Sequence, residues 1–245
     1  MYELPFSQQD SLEELLSLAQ KKFEISFEPI SIGPYHLELA QLADMESYID
    51  QLAETCTPEN GLELPFWAKI WPTSILLGYY VQKLSPASGK RLLEIGAGIG
   101  LCGLIAAKHG FEVTITDNHD DALLFARINI LKNGLGSKAE VAKLDFSTDS
   151  LPARYSYILG SEVLYREETY KPLVNFLFQH LEMDPESEII LARSYERSES
   201  SFFDLAREKF NIQHQHIGYK STADSTQAEE KQLSTIYRLK PQNYA

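Results

Sequence analysis

Cysteine is nearly absent: Cys56 and Cys102 are the only two in 245 residues, and their spacing matches no metal motif. That excludes a disulfide framework and points to a reducing compartment. Basic residues are also scarce. Lysine and arginine number 22 against 35 aspartates and glutamates, which leaves a net charge of −13, and the basic residues are scattered. A nucleic-acid binder carries a basic patch, so neither DNA nor RNA is expected as a partner. No apolar run approaches membrane-spanning length. Met1 to Asp10 lacks the basic start and apolar centre of a secretion signal. These absences lead to the expectation of a cytoplasmic monomer without membrane contact. No metal is expected either, because His214 and His216 alternate on one strand-like segment with no third ligand nearby.

What is present is apolar residue in plenty, 44% of the chain, enough for a packed core. Leucines at 12, 15, 16 and 18 form a helical stripe behind Ser11, a plausible cap. Residues 24–42 read as a hairpin broken at Gly33-Pro34, and residues 44–55 as a short helix. Pro72 suits the first turn of a helix running to about Leu84. Strand and helix patterns then alternate: strands at 90–95, 111–116, 138–143, 155–160 and 188–192, with helices at 101–109, 120–132, 169–181 and 199–209. Asp120 reads as a helix cap and Asn133-Gly134 as a stop. Alternation of this kind predicts an α/β fold with a mostly parallel sheet covered on both faces. Strand-like pieces at 211–219 and 233–239 predict a closing antiparallel hairpin around a surface loop, Lys220 to Lys231. We divide the chain into an N-terminal helix and hairpin extension, 1–64, and a main domain, 65–245.

The most informative stretch is Leu92-Leu93-Glu94-Ile95-Gly96-Ala97-Gly98-Ile99-Gly100-Leu101-Cys102-Gly103. A buried strand ends in an acid, a glycine bend follows, and a helix starts at Leu101. Glycines let backbone approach a small molecule closely, and the N–H groups of a first helical turn favour an anionic group. Gly98, Gly100 and Gly103 also spell the G-x-G-x-x-G dinucleotide fingerprint, with Asp117 at the spacing that fingerprint expects. Glu94 pulls the other way, since a carboxylate at the strand end suits a cationic, amine-bearing ligand. With the bend opening at Gly96, this is the E-x-G-x-G pattern of S-adenosylmethionine enzymes. A purely structural glycine turn is the third reading of these residues. Cys102, near the helix start, is either a thiol of lowered pKa or a small residue packed under the loop.

Ligands of an open parallel sheet bind beyond the carboxyl ends of its strands. Asp117 stands at one such end and can accept from ribose hydroxyls; its plainer role is to cap a helix. Asp145-Phe146 stands at the next, either bracketing an adenine or serving as a turn aspartate and a core phenylalanine. Beyond the strand from Tyr155 come Ser161, Glu162 and Tyr165, where a second substrate would meet the cofactor. A solvated glutamate and an interface tyrosine are the alternative.

Pro65-Phe66-Trp67-Ala68-Lys69-Ile70-Trp71-Pro72, the Leu93 to Gly100 loop, Val113-Thr114-Ile115-Thr116-Asp117 and Leu159-Gly160-Ser161-Glu162-Val163-Leu164-Tyr165 occur in that order. Together they resemble the seven-β-strand protein-lysine methyltransferase-like family, over roughly residues 62–182. The resemblance implies a Rossmann-like seven-stranded sheet, S-adenosylmethionine as cofactor and a protein with an accessible lysine as partner. It implies that Trp71 lines the cofactor site, and that Glu94, Gly96, Gly98 and Gly100 hold the methionine and ribose portion. Asp117 then binds ribose, Asp145 and Phe146 lie beside adenine, and Ser161 faces the cofactor. Glu162 and Tyr165 fall on the family's D-x-x-Y motif bordering the acceptor lysine, with glutamate in place of aspartate. The alternatives are a small-molecule N-methyltransferase, a non-catalytic S-adenosylmethionine-binding regulator, and an NAD-dependent oxidoreductase.

Overall fold

The computed structural model describes residues 4–57, 64–86, 89–195, 200–220 and 231–242. Of the expected loop over Lys220 to Lys231, residues 221–230 lie outside them, as do 87–88 of the turn at 86–89; Lys220 and Lys231 themselves are paired at the ends of two strands.

Helix α1 (Leu12–Ala19) begins with a reciprocal cap. The Ser11 hydroxyl accepts from the Glu14 N–H while the Glu14 carboxylate accepts from the Ser11 N–H, so two otherwise unpaired donors are satisfied. Strands β1 (Ile25–Ile32) and β2 (Tyr35–Leu42) pair antiparallel with Ile32 opposite Tyr35. Gly33, at φ +59°, takes the first position of the two-residue turn, where a hairpin of this length requires positive φ. Asp44 caps α2 (Met45–Thr55) by accepting from the Ser47 N–H.

The main sheet has seven strands: β3 (Arg91–Ile95), β4 (Glu112–Asp117), β5 (Ala139–Lys143), β6 (Tyr157–Ser161), β7 (Glu188–Ser194), β8 (Phe210–Lys220) and β9 (Lys231–Pro241). Their order is β5-β4-β3-β6-β7-β9-β8. The first five run parallel, and β9 and β8 close the sheet antiparallel. The period of two in a strand divides the core. Leu92, Leu159 and Ile190 enter one apolar cluster, and their neighbours Leu93, Ile158 and Ile189 enter the other. Helices α3 (Pro72–Val81), α4 (Leu101–His109) and α5 (Asp120–Lys132) cover the first face, and α6 (Tyr170–His180) with α7 (Ser200–Ala206) covers the second. Leu15, Ala19, Ile32, Leu37 and Leu39 are buried in that first cluster too. The buried Asn129 fixes the hairpin to α5, accepting from the Ala40 N–H at 2.6 Å.

Several boundaries differ from the sequence reading. α3 stops at Val81, where Lys83 and Leu84 turn their N–H groups back to the carbonyls of Tyr80 and Val81. β6 starts at Tyr157, because Tyr155 forms only an isolated bridge with Leu181. Asp120 is not the α5 cap: His119 holds that place, its Nδ1 accepting from the Asp121 N–H at 3.2 Å. β7 runs on to Ser194, since its end remains paired with β9.

Candidate active site

From β3 the chain steps outward to β4 and β5, then returns to β6 on the other side of β3. The crevice of such a sheet lies beyond the carboxyl ends at that reversal, so the tips of β3 and β6 define the candidate site. A cavity of about 250 Å³ opens instead at the opposite end, among Lys90, Tyr157, Glu188 and Arg238. It carries no glycine bend and is set aside on that ground.

At the β3 tip the backbone turns through Gly96, Gly98 and Gly100, all at positive φ. Two glycines are required by close approach. A Cβ on Gly98 would lie 2.6 Å from the Trp67 carbonyl oxygen, and one on Gly103 would lie 2.6 Å from Ile115 Cγ1 and 2.7 Å from Glu94 Oε2. The third glycine of the fingerprint therefore serves helix–strand contact, and Gly98 makes room for the backbone of Trp67.

Glu94 is buried, 3% exposed, and its Oε2 accepts from the Gly103 N–H at 2.7 Å. α4 starts at Gly100, which has no side chain to cap it, so this carboxylate caps the helix from within the strand. Burial pushes the Glu94 pKa up to about 7, against the pull of the Gly103 N–H. A pyrophosphate at this helix start would meet that carboxylate, and no lysine or arginine lies between Leu92 and Ala107 to offset it. Cys102 is buried, donates to the Ser74 carbonyl, and has its pKa pushed well up by burial and by Glu94. Its role is packing under the loop; the lowered-pKa reading is overturned.

Asp117 ends β4 and is 8% exposed. Its Oδ2 accepts from the Gly98 N–H at 2.8 Å and its Oδ1 from the His119 N–H at 3.0 Å. Burial raises its pKa, and these two donors oppose the rise. The acid ties the β4 tip to the bend and caps no helix.

Sequence reasoning missed Trp67 and His119. Their rings stack, 5.3 Å apart and 22° from parallel, so the cap of α5 carries the residue whose carbonyl closes on Gly98. The signal available was the tryptophan itself, one of only two in the chain. The other, Trp71, is half-buried at the start of α3. Lys69 Nζ lies 4.7 Å from its ring centre, and its Nε1 donates to the Phe66 carbonyl at 3.2 Å.

Across the crevice, Ser161 Oγ donates to Thr73 Oγ1 at 2.9 Å, joining the β6 tip to the first turn of α3. Glu162 is the one non-glycine residue at positive φ (+54°) among the described residues. That conformation costs about 1–2 kcal/mol in an L-residue. Two bonds hold it: the Glu162 N–H donates to the Ala192 carbonyl, and Glu162 Oε1 accepts from the Ser194 N–H at 2.7 Å. Val163 and Leu164 are buried behind it, while Tyr165 is 60% exposed. At the β5 tip, Asp145 Oδ1 accepts from the Ser147 N–H at 2.8 Å, an aspartate-closed turn. Phe146 is half-buried against the second core cluster. The structure thus brings Glu94, the bend, Asp117, Ser161 and Glu162 to one end of the sheet; Asp145 and Phe146 stand further out, on its edge strand.

A sequence model of lysine methyltransferases matches residues 59–209. Protein N-lysine methyltransferase METTL21A of Danio rerio is 34% identical over 165 residues, covering 64% of this chain and 73% of that protein. EEF1A lysine methyltransferase 3 of Mus musculus is 32% identical, covering 64% of this chain and 69% of its own length. Among solved structures, an S-adenosylmethionine-dependent methyltransferase from Agrobacterium tumefaciens shares the fold with a TM-score of 0.58 at 15% identity, over 88% of this chain and 70% of that one. With its seven-stranded sheet, its glycine bend and a family match over more than half its length, this chain belongs to the lysine methyltransferase family.

Proposed function

We propose that this chain methylates the side-chain amine of a lysine in another protein, with Glu94, Gly96, Gly98, Gly100 and Asp117 holding S-adenosylmethionine and Glu162 with Tyr165 receiving the lysine. The observation that carries the cofactor half is the left-handed glycine bend at the β3 tip, with the Gly98 N–H held by Asp117. The residues present suit this cofactor. Two acids lie near for an amino group and ribose hydroxyls, and residues 92–107, which form the bend and the first turns of α4, hold no lysine or arginine to meet phosphate. Trp71 and Ser161 would line the same cofactor, and Asp145 with Phe146 would border its adenine.

When bound, S-adenosylmethionine supplies a sulfonium methyl group open to in-line attack by an amine. The protein's task is alignment, an effect worth about 7–11 kcal/mol in favourable cases. Lysine ammonium has a reference pKa of about 10.4 and must lose a proton before it attacks. A carboxylate favours the charged form, so Glu162 docks the arriving ammonium and does not activate it. Its extra methylene, relative to the family's aspartate, has a visible use. It lets Oε1 reach the Ser194 N–H and fixes the carboxyl group at the mouth. Tyr165, exposed beside it, orients the amine.

Tyr165, 60% exposed at the β6 tip, suits a protein acceptor over a small one, and the relatives named above are named for protein lysines. Cytoplasmic placement is supported by Cys56 and Cys102, both free thiols. Among the described residues no helix is long and apolar enough to cross a membrane. We read residues 1–64 as an addition braced on α5, and the protein as a monomer.

The test is incubation of the purified protein with radiolabelled S-adenosylmethionine and cell extract. Label in a protein band, resistant to hydrolysis as methyl-lysine, is the expected result; label only in small solutes contradicts the acceptor. Two variants separate the roles. Asp117→Ala leaves two part-buried N–H donors without their acceptor, at up to about 1–3 kcal/mol each, and donor affinity falls by tenfold or more on calorimetry. Glu162→Gln keeps an oxygen for Ser194 N–H, binds the donor as wild type does, and transfers methyl far more slowly. Equal loss of donor binding in both variants contradicts the assignment.

A further inference from the structure

Among the described residues, Phe66 (60% exposed), Tyr165 (60%), Tyr195 (51%) and Leu233 (45%) are large apolar side chains exposed at the site end, with Leu64 just before Phe66; Tyr79, near the end of α3, and Met183, before β7, are exposed away from it. Contiguous exposed apolar surface beside a crevice marks a binding face. Tyr195 and Leu233 form the part of it that the site described above does not use. They are joined, the Tyr195 N–H donating to the Leu233 carbonyl at 2.9 Å. The Tyr195 ring is also braced: it meets the His216 ring edge-on at 5.0 Å and 90°, and His216 Nδ1 bonds Thr235 Oγ1 at 2.9 Å. A ring held at half exposure by a neighbour has little freedom to lose on contact, which is what an interface anchor needs. The shelf is continuous with the acceptor mouth, since Ser194, directly before Tyr195, is the residue whose N–H holds Glu162.

Charge narrows the occupant. Glu162, Glu167 and Glu168 follow the tip of β6, and the one cation within residues 162–168, Arg166, is paired to Glu168 at 2.8 Å. The whole chain carries −13. Such a face suits a basic segment. Geometry narrows it again. From the tip of β6 across β7 to β9 is two strand spacings, about 10 Å, the reach of about three residues of extended chain.

We propose that Tyr195 and Leu233 are a docking shelf for the acceptor protein, taking an apolar side chain that lies about three residues from the target lysine in a basic, extended segment. This rests on the reading of the chain as a protein-lysine methyltransferase. The shelf sets which lysine is presented, and the crevice treats all presented lysines alike.

The test uses the full chain, radiolabelled S-adenosylmethionine, and the acceptor purified from the labelled band. Tyr195→Ala and Leu233→Ser each raise KM for the acceptor by about tenfold, the effect of losing one interface anchor. Donor Kd and the rate at saturating acceptor stay within about twofold, and Tyr195→Phe restores the wild-type KM. Met183→Ala, equally apolar and exposed but remote, changes nothing. Unchanged KM in both shelf variants, or a donor Kd that rises with them, overturns the shelf while leaving lysine methylation intact. No labelled protein with the wild-type chain defeats the methyltransferase reading and the shelf together.

Discussion

Gly98→Ala loses S-adenosylmethionine binding. The residue stands at φ +55° with its N–H on Asp117, and two independent penalties meet there. A left-handed L-residue costs about 1–2 kcal/mol. The added Cβ also falls 2.6 Å from the Trp67 oxygen and 3.4 Å from its carbonyl carbon. Those are backbone atoms that no rotamer change can move, and forced overpacking of this kind costs about 1–3 kcal/mol. The least costly relief is to shift the bend, which breaks its bond to Asp117. Donor affinity then falls by about 30-fold or more, the equivalent of roughly 2 kcal/mol, and the melting temperature falls as well. Gly134→Ala separates the two penalties. It carries the same left-handed φ, at +68°, with nothing within 4 Å of the new Cβ, so it lowers stability slightly and leaves donor binding alone. Calorimetry and thermal unfolding of the two variants read the difference. Wild-type affinity in Gly98→Ala would remove the bend from the account.

The second large effect is a pH dependence located on Glu94. Its pKa stands at about 7 in the fold against 4.5 in an exposed chain. A raised acid contributes stability that is complete below the unfolded value and is lost as pH rises through the folded one. The gap corresponds to about 3 kcal/mol in the limit, a fraction of which is already lost at pH 5, so the cofactor-free protein melts roughly 5–10 °C lower at pH 8.5 than at pH 5 on this account. Glu94→Gln keeps an oxygen for the Gly103 N–H and has no charge to bury, so its melting temperature is higher than wild type at pH 8.5 and much flatter across the range. Asp117, raised in the same direction by burial, leaves a slope of the same sign behind. Donor binding moves the other way. An ammonium beside Glu94 favours the ionised carboxylate, so wild-type affinity strengthens as pH rises through 7 and that of Glu94→Gln does not. A flat wild-type melting profile, or one unchanged by the substitution, contradicts this.

What could be read from the chain was whatever is written locally. α4 and α5 fall on the predicted residues, because their apolar positions and their glycine and asparagine stops are contiguous in sequence. The first hairpin was legible from Gly33-Pro34, and the strand tips from the motifs that end them. What lay hidden depends on contacts between distant residues. The Trp67–His119 stack joins residues 52 apart, and the Ser161–Thr73 bond joins residues 88 apart. Neither leaves a periodic trace. Asp120 looked like a cap since aspartate is a preferred one; a ring nitrogen of His119 took the place, one residue earlier. Glu94 reads as a ligand group facing a cofactor; that the same carboxylate also accepts from the Gly103 N–H of α4 depends on the packing of Gly103 against Ile115 and leaves no sequence signal. The left-handed turn at Glu162 had no signal at all, as glutamate is not a residue that announces positive φ.

The most direct measurement is a crystal of the chain grown with S-adenosylhomocysteine. The account predicts density across the Gly96–Gly100 bend, the ribose hydroxyls on Asp117, and the sulfur turned toward Glu162 and Tyr165. An empty bend, or the product seated elsewhere such as among Lys90, Tyr157 and Arg238, would contradict it.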